Sequence, residues 1–186
     1  YHCVYLTDED IKIFKKHDMS VISNPGSNTK LASGIAPIQK FIDSGLNVAL
    51  GTDGPSSNNC LDMFREMFLV TGLAKLRENN ASAVDALTVL KMATKNGAKA
   101  MLLDDCDVLA KGKQADMIMI DLCKPNMQPL NDIARNIVFS GSKQNVKMTM
   151  VAGKILYEDG KYNIGIDEET VYKEANDIIT RLKAIS

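Results

Sequence analysis

The feature that most constrains this chain is a strand–helix rhythm with short connections, confined to its first half. His2-Cys3-Val4 reads as the end of a strand, residues 19–23 as a second strand and residues 47–50 as a third. Between them, Thr7-Asp8-Glu9-Asp10 supplies a cap and an acidic first turn for a helix reaching Lys16. Residues 37–42 form a short helix with Pro at its start and Gly45 past its end. Asn24-Pro25-Gly26 closes the second strand as a turn, and a long helix is expected from about Asn59 to Glu78, then two more over about 82–94 and 96–103. Strands alternating with helices over short loops specify a parallel sheet with crossover helices. Three such units do not close a (β/α)8 barrel, which takes about 250 residues. The chain has 186 residues and opens inside a strand, so it is expected to be part of something longer.

After Leu103 the texture changes. Residues 116–121 and 146–151 read as strands, Ala152-Gly153-Lys154 turns into Ile155-Leu156-Tyr157, and Glu158-Asp159-Gly160-Lys161 makes another turn. This is a small β module and not a continuation of the repeat. From Asp167 a capped amphipathic helix follows, with Val171, Ala175, Ile178, Ile179 and Leu182 on one face. The organisation expected is therefore a partial barrel over 1–104, a β module over 105–165 and a closing helix over 166–186.

Charge and composition exclude several functions. Lys plus Arg is 22 and Asp plus Glu is 23, a net charge of −1, which offers no electrostatic footprint for nucleic acid or an anionic membrane. The apolar runs are strand-sized, so no membrane span is expected. Cys3, Cys60, Cys106 and Cys123 are too scattered for a CxxC knuckle or a disulfide framework, and are expected to be reduced thiols of a cytoplasmic protein. With His2 and His17 the only two histidines, neither HxH nor HExxH exists here, and the chain alone cannot assemble a histidine-rich metal site.

Asp53 stands at the carboxyl end of a strand between Gly51 and Gly54, where a barrel gathers its catalytic side chains; Asp-Gly is equally ordinary turn chemistry. His2 ends the first strand, where an imidazole could bind a metal, polarise a reacting group or carry a proton, or simply pack as a structural residue. His17, at a helix end after Lys15-Lys16, complements the helix dipole. Asn24 to Asn28 and Pro55 to Asn59 also follow strands and could present polar groups to a ligand. For Ser57 and Asn58 the alternative is capping the next helix. The ten methionines fall at core spacing and read as packing.

Taken in order, His2-Cys3, Asn24-Pro25-Gly26-Ser27-Asn28-Thr29-Lys30-Leu31, Gly34-Ile35-Ala36-Pro37, Gly51-Thr52-Asp53-Gly54 and Ser57-Asn58-Asn59 resemble the amidohydrolase superfamily. Ala93-Thr94-Lys95-Asn96-Gly97-Ala98-Lys99-Ala100, Lys111-Gly112-Lys113-Gln114-Ala115-Asp116 and Val151-Ala152-Gly153-Lys154 extend the likeness to its deaminase and chlorohydrolase branch, nearest to the 5-methylthioadenosine/S-adenosylhomocysteine deaminases. The resemblance implies an α/β fold: strands six to eight of a TIM-like barrel, then the C-terminal portion of a small β-sandwich. It implies hydrolytic deamination of a 6-aminopurine nucleoside, such as 5-methylthioadenosine, S-adenosylhomocysteine or adenosine, by metal-bound hydroxide. Asp53 matches the strand-eight aspartate, a metal ligand that takes the proton of the attacking water. His2 matches the strand-six histidine that hydrogen-bonds the attacking group, and Ser57 and Asn24 match positions beside the substrate. The cofactor implied is one divalent ion, Zn2+ before Fe2+ or Mn2+. The strand-one His-x-His pair and the strand-five His and Glu have no counterpart here, so the chain alone is expected to hold no metal and to be inactive. The partners implied are the nucleoside, the preceding part of the same chain and a second copy of the protein. Where the family carries Gly before Val108-Leu109, this chain has Asp107. Two alternatives stand beside this reading: deamination or dechlorination of another heterocycle such as guanine, cytosine or a triazine, and a non-enzymatic module that binds through an exposed strand edge.

Overall fold

The computed structural model describes residues 1–185, which are mixed α/β and divide into two compact units: Tyr1–Lys113 with Leu122–Asn145, and Gln114–Asp121 with Val146 onward.

The first unit is organised around two parallel strands, β1 (Ser20–Ser23) and β2 (Asn47–Leu50), paired in register from Ser20 opposite Asn47 to Ser23 opposite Leu50. Val21, Val48, Ala49 and Leu50 are buried, as strands covered on both faces require. Before β1 lies α1 (Asp8–Lys16), opened by a capping box in which the Thr7 side chain accepts from Asp10 N–H and the Asp10 carboxylate accepts from Thr7 N–H. Between the strands run α2 (Pro25–Lys30) and α3 (Ile38–Asp43), which buries Phe41 completely. After β2 come a single turn, α4 (Pro55–Asn58), and then α5 (Met63–Glu78), which buries Phe64, Glu66, Met67, Val70, Thr71 and Ala74. Helices α6 (Ala86–Ala93) and α7 (Lys95–Ala100) follow; α6 adds Val89 and Met92 to the core.

Several bounds differ from the sequence reading, each for a local reason. Tyr1 to Val4 is not a strand, because His2 and Cys3 take left-handed φ values of 63° and 53°; the His2 N–H still donates to Ile22 O at 2.8 Å. The turn expected at Asn24-Pro25-Gly26 opens α2 instead, with Pro25 at the first helical position where its missing N–H costs nothing. Helix α5 begins four residues after Asn59, which turns left-handed (φ 68°); Asp62 caps it by accepting from Phe64 N–H. Helix α6 begins at Ala86 because Asp85 accepts from Leu87 and Thr88 N–H. Residues 122–145, which carried no helical signal, form the 3-10 turn Pro125–Met127, the short helix α8 (Ile133–Arg135) and the π-helical turn Asn136–Ser140.

The second unit is an antiparallel sheet in the order β3 (Met117–Ile120), β4 (Val146–Val151), β5 (Lys154–Glu158), β6 (Lys161–Tyr162). Both hairpins close on two residues with positive φ, Ala152-Gly153 (51°, 76°) and Asp159-Gly160 (43°, 87°), the turn whose twist matches paired strands. Helix α9 (Glu168–Lys183) is capped by Asp167, which accepts from Thr170 N–H. Its apolar stripe, Val171, Ile178, Ile179 and Leu182, is exposed. Among the described residues no helix is long and apolar enough to cross a membrane.

Candidate active site

The carboxyl ends of β1 and β2 bring together the polar residues that the sequence had scattered. β2 runs out into Gly51-Thr52-Asp53-Gly54, and Asp53 itself adopts a left-handed conformation (φ 60°), which Asp tolerates better than most residues. That bend lets the Asp53 carboxylate accept from the Gly54 N–H through Oδ1 (2.7 Å) and from the Ser27 hydroxyl through Oδ2 (2.7 Å). Asn24, at the end of β1, lies under the same bend: with its amide turned to suit its neighbours, Nδ2 donates to Ile22 O and Oδ1 accepts from Asp53 N–H, each at 3.2 Å.

His2 approaches from the third side. Its Nδ1 lies 2.8 Å from Asn28 Oδ1, so Nδ1 carries the proton and donates. Nε2 is left facing Asp53 Oδ2 at 3.8 Å, with the two side chains 40% and 31% exposed. The pair is therefore reachable from solvent, whereas Ser27, Asn28 and Asn24 behind it are buried. The Ser27 hydroxyl, then the neighbouring Ser57 side chain and Gly54 N–H, hold the Asp53 carboxyl down to about 2; partial burial opposes them and His2 adds slightly to them, while the Ser57 hydroxyl itself donates to Gly54 O at 3.1 Å. Asp53 is thus a fixed anion beside an imidazole nitrogen, placed to accept hydrogen bonds or to ligate a cation.

Beneath these loops sits Glu66 of α5, with no exposed surface. It accepts from Gly26 N–H through Oε2 (2.8 Å) and from Asn58 Nδ2 through Oε1 (2.8 Å). Burial pushes its carboxyl above the ordinary glutamate value, and the bonds from Gly26 and Asn58 pull the other way. A side chain at position 26 would not fit: a Cβ there would lie 2.3 Å from Glu66 Oε1.

The structure places Asp53, His2, Asn24 and Ser57 around one point, while His17 ends α1. Ser27, Asn28 and Asn58 stood in runs offered to a ligand but had no role of their own, and Glu66 was not singled out by the sequence. Ser27 and Asn28 stood inside a run that read as loop, and Glu66 carried no signal, being one of five charged residues in α5 and next to Arg65. Among the described residues no three His, Cys, Asp or Glu side chains group closely enough to hold a metal. A catalytic zinc takes three protein ligands, so Asp53 and His2 do not make a complete metal site by themselves.

The model of the amidohydrolase family matches residues 1–156. A 5-methylthioadenosine/S-adenosylhomocysteine deaminase of Clostridium tetani is 50% identical over 171 residues, 91% of this chain and 40% of that protein. A 5′-deoxyadenosine deaminase of Methanosarcina acetivorans is 44% identical over 98% of this chain and 42% of its own length. The crystal structure of an adenosine deaminase from Xanthomonas campestris with bound zinc superposes with a TM-score of 0.94 at 34% identity, again over 98% of this chain and 42% of that one. The chain thus spans about two fifths of the relatives it matches. With the family match taking in His2 and Asp53 and reaching into β5, this chain belongs to the amidohydrolase family.

Proposed function

We propose that the chain is the C-terminal part of a deaminase that replaces the amino group of a 6-aminopurine nucleoside with oxygen. The observation that carries this reading is the Asp53 carboxylate, gripped by the Ser27 hydroxyl and Gly54 N–H and facing His2 Nε2 at 3.8 Å. Water adds to the purine carbon that bears the amine, the C–N bond breaks, and ammonia leaves. Asp53 takes a proton from the water and delivers it to the departing amine. His2, its Nδ1–H anchored on Asn28, hydrogen-bonds the attacking oxygen through Nε2. Asn24 and Ser57 flank the substrate and keep Asp53 in place. Asp53 would also be one ligand of a divalent ion of the zinc class, whose remaining donors lie outside the described residues. The 6-aminopurine class is supported by the names of the relatives in Clostridium tetani and Methanosarcina acetivorans.

In the same reading, residues 1–104 are the last strands and helices of a barrel, 105–165 the C-terminal share of a sandwich and 166–186 its closing helix. The separation of the parallel pair β1–β2 from the antiparallel sheet supports a barrel part and a sandwich part, with residues 105–113 and 122–145 packed in the unit of the parallel pair. The test is to assay the full-length zinc-loaded protein against 5-methylthioadenosine, S-adenosylhomocysteine, 5′-deoxyadenosine and adenosine, following ammonia and the ultraviolet change of the purine. Turnover of one or more is expected. Turnover of guanine, cytosine or a chlorinated triazine alone would transfer the reading to those heterocycles, and none at all would end it.

A further inference from the structure

Asp53 is gripped by two segments that are far apart in sequence, and both converge on one buried side chain. On one side, Gly26 N–H donates to Glu66 Oε2 at 2.8 Å, and the next residue, Ser27, donates its hydroxyl to Asp53 Oδ2 at 2.7 Å. On the other, Asn58 Nδ2 donates both to Glu66 Oε1 at 2.8 Å and to Thr52 O at 2.6 Å, the carbonyl immediately before Asp53. The result is a closed ring from Glu66 through Gly26, Ser27, Asp53, Thr52 and Asn58 back to Glu66. A second tie joins the same segments on the outside, where Lys30 Nζ donates to Ser56 O (2.8 Å) and Asn59 Oδ1 (2.5 Å). Lys30 is exposed, and solvent competes for its bonds; Glu66 has no exposed surface, so its two charge-assisted bonds are not diluted by water. Gly26 marks how tightly the interior tie is built, since a Cβ there would also lie 2.9 Å from Asn58 Nδ2.

We propose that Glu66 is a positioning residue for the deamination: it touches neither substrate nor reacting atoms, and its two acceptor oxygens fix the Ser27 and Thr52 contacts that aim the Asp53 carboxylate. This rests on the deaminase reading above. Glu66→Gln is the direct test in the full-length protein, because the amide keeps the shape but presents one oxygen where two are used. The Ser27–Asp53 hydrogen bond is expected to be lost in its crystal structure. The corresponding misplacement of a proton-transferring group is expected to lower kcat by about 10²-fold with KM nearly unchanged, measured per folded molecule. A residue that only stabilised the fold would lower the melting temperature and leave kcat and the Ser27–Asp53 bond intact, which would overturn the proposal. If Glu66→Gln does not fold, Gly26→Ala decides by the same two readouts, since it forces Glu66 away from Asn58 without removing the carboxylate. Absence of turnover in the unmodified full-length protein would overturn the deaminase reading alone. The Ser27–Asp53 bond in the Glu66→Gln crystal would then still decide whether Glu66 aims Asp53.

Discussion

Asp53 and Glu66 lie a few bonds apart in one network and respond to pH in opposite senses. The Asp53 carboxyl falls from 3.8 to about 2 on folding, so its contribution to stability is fully present above about pH 4 and is lost as pH drops through 3.8 toward 2. Asp53→Asn, which keeps a residue suited to φ 60°, is expected to flatten that part of the acid-denaturation curve, read from urea midpoints between pH 4.5 and 2.5. In the full-length enzyme the same change is expected to lower kcat by about 10²–10⁴-fold. Glu66 is raised by burial from 4.5, so its contribution is full below 4.5 and declines as pH rises through the raised value. The melting-temperature gap between the unmodified protein and Glu66→Gln is therefore expected to be wider at pH 4 than at pH 8. Asp53 was legible in the sequence because its place, past the end of β2 and between Gly51 and Gly54, is local; His2 was legible through the family resemblance, and the strand end read for it is not one. Ser27 and Glu66 were not legible, because what recommends them is contact across 26 and 40 residues of chain.

The same contrast holds for the elements. The start of α1 could be read from Thr7-Asp8-Glu9-Asp10, since a capping box is complete within four residues. The start of α6 could not. Residues 82–84 looked helical, yet Val84 takes φ 46°, with its N–H held by Gln39 Oε1 at 2.8 Å and its carbonyl by the Thr71 hydroxyl at 2.7 Å. Tertiary partners there override propensity, and Asp85 becomes the cap. Asp85→Ala is accordingly expected to cost about 0.5–2 kcal/mol in chemical denaturation. Phe41 of α3, with no exposed surface, is a different matter: its replacement by Ala removes a whole ring from the core and is expected to cost about 3–5 kcal/mol in the same measurement. The helical turns within 122–145 were invisible because they are short and their polar residues bond to one another, as Asn126 does with Asn145 and Asn136 with Met127 O and Pro129 O.

At the scale of the molecule, a chain that spans two fifths of its relatives meets its chemistry only in part. Expressed alone, residues 1–186 are expected to carry well under one zinc per chain and to deaminate no purine nucleoside, whereas a full-length protein is expected to carry about one; elemental analysis beside an ammonia assay checks both. The alternation of β1, α3, β2 and α5 made the parallel pair predictable, and the hairpin turns at Ala152-Gly153 and Asp159-Gly160 did the same for the antiparallel sheet.

Strand β3 ends at Ile120, its partner β4 begins at Val146, and the residues between them belong to the other unit. On a ribosome this order has a cost in time. At about 5–20 residues per second, Met117-Ile118-Met119-Ile120 spends on the order of seconds as an apolar strand with both edges bare. During that interval 122–145 must find its place on a unit already made. The first unit is therefore completed by residues made after β3 and before β4, and until β4 arrives the Met-Ile strand is the segment of the nascent chain most open to pairing with another chain.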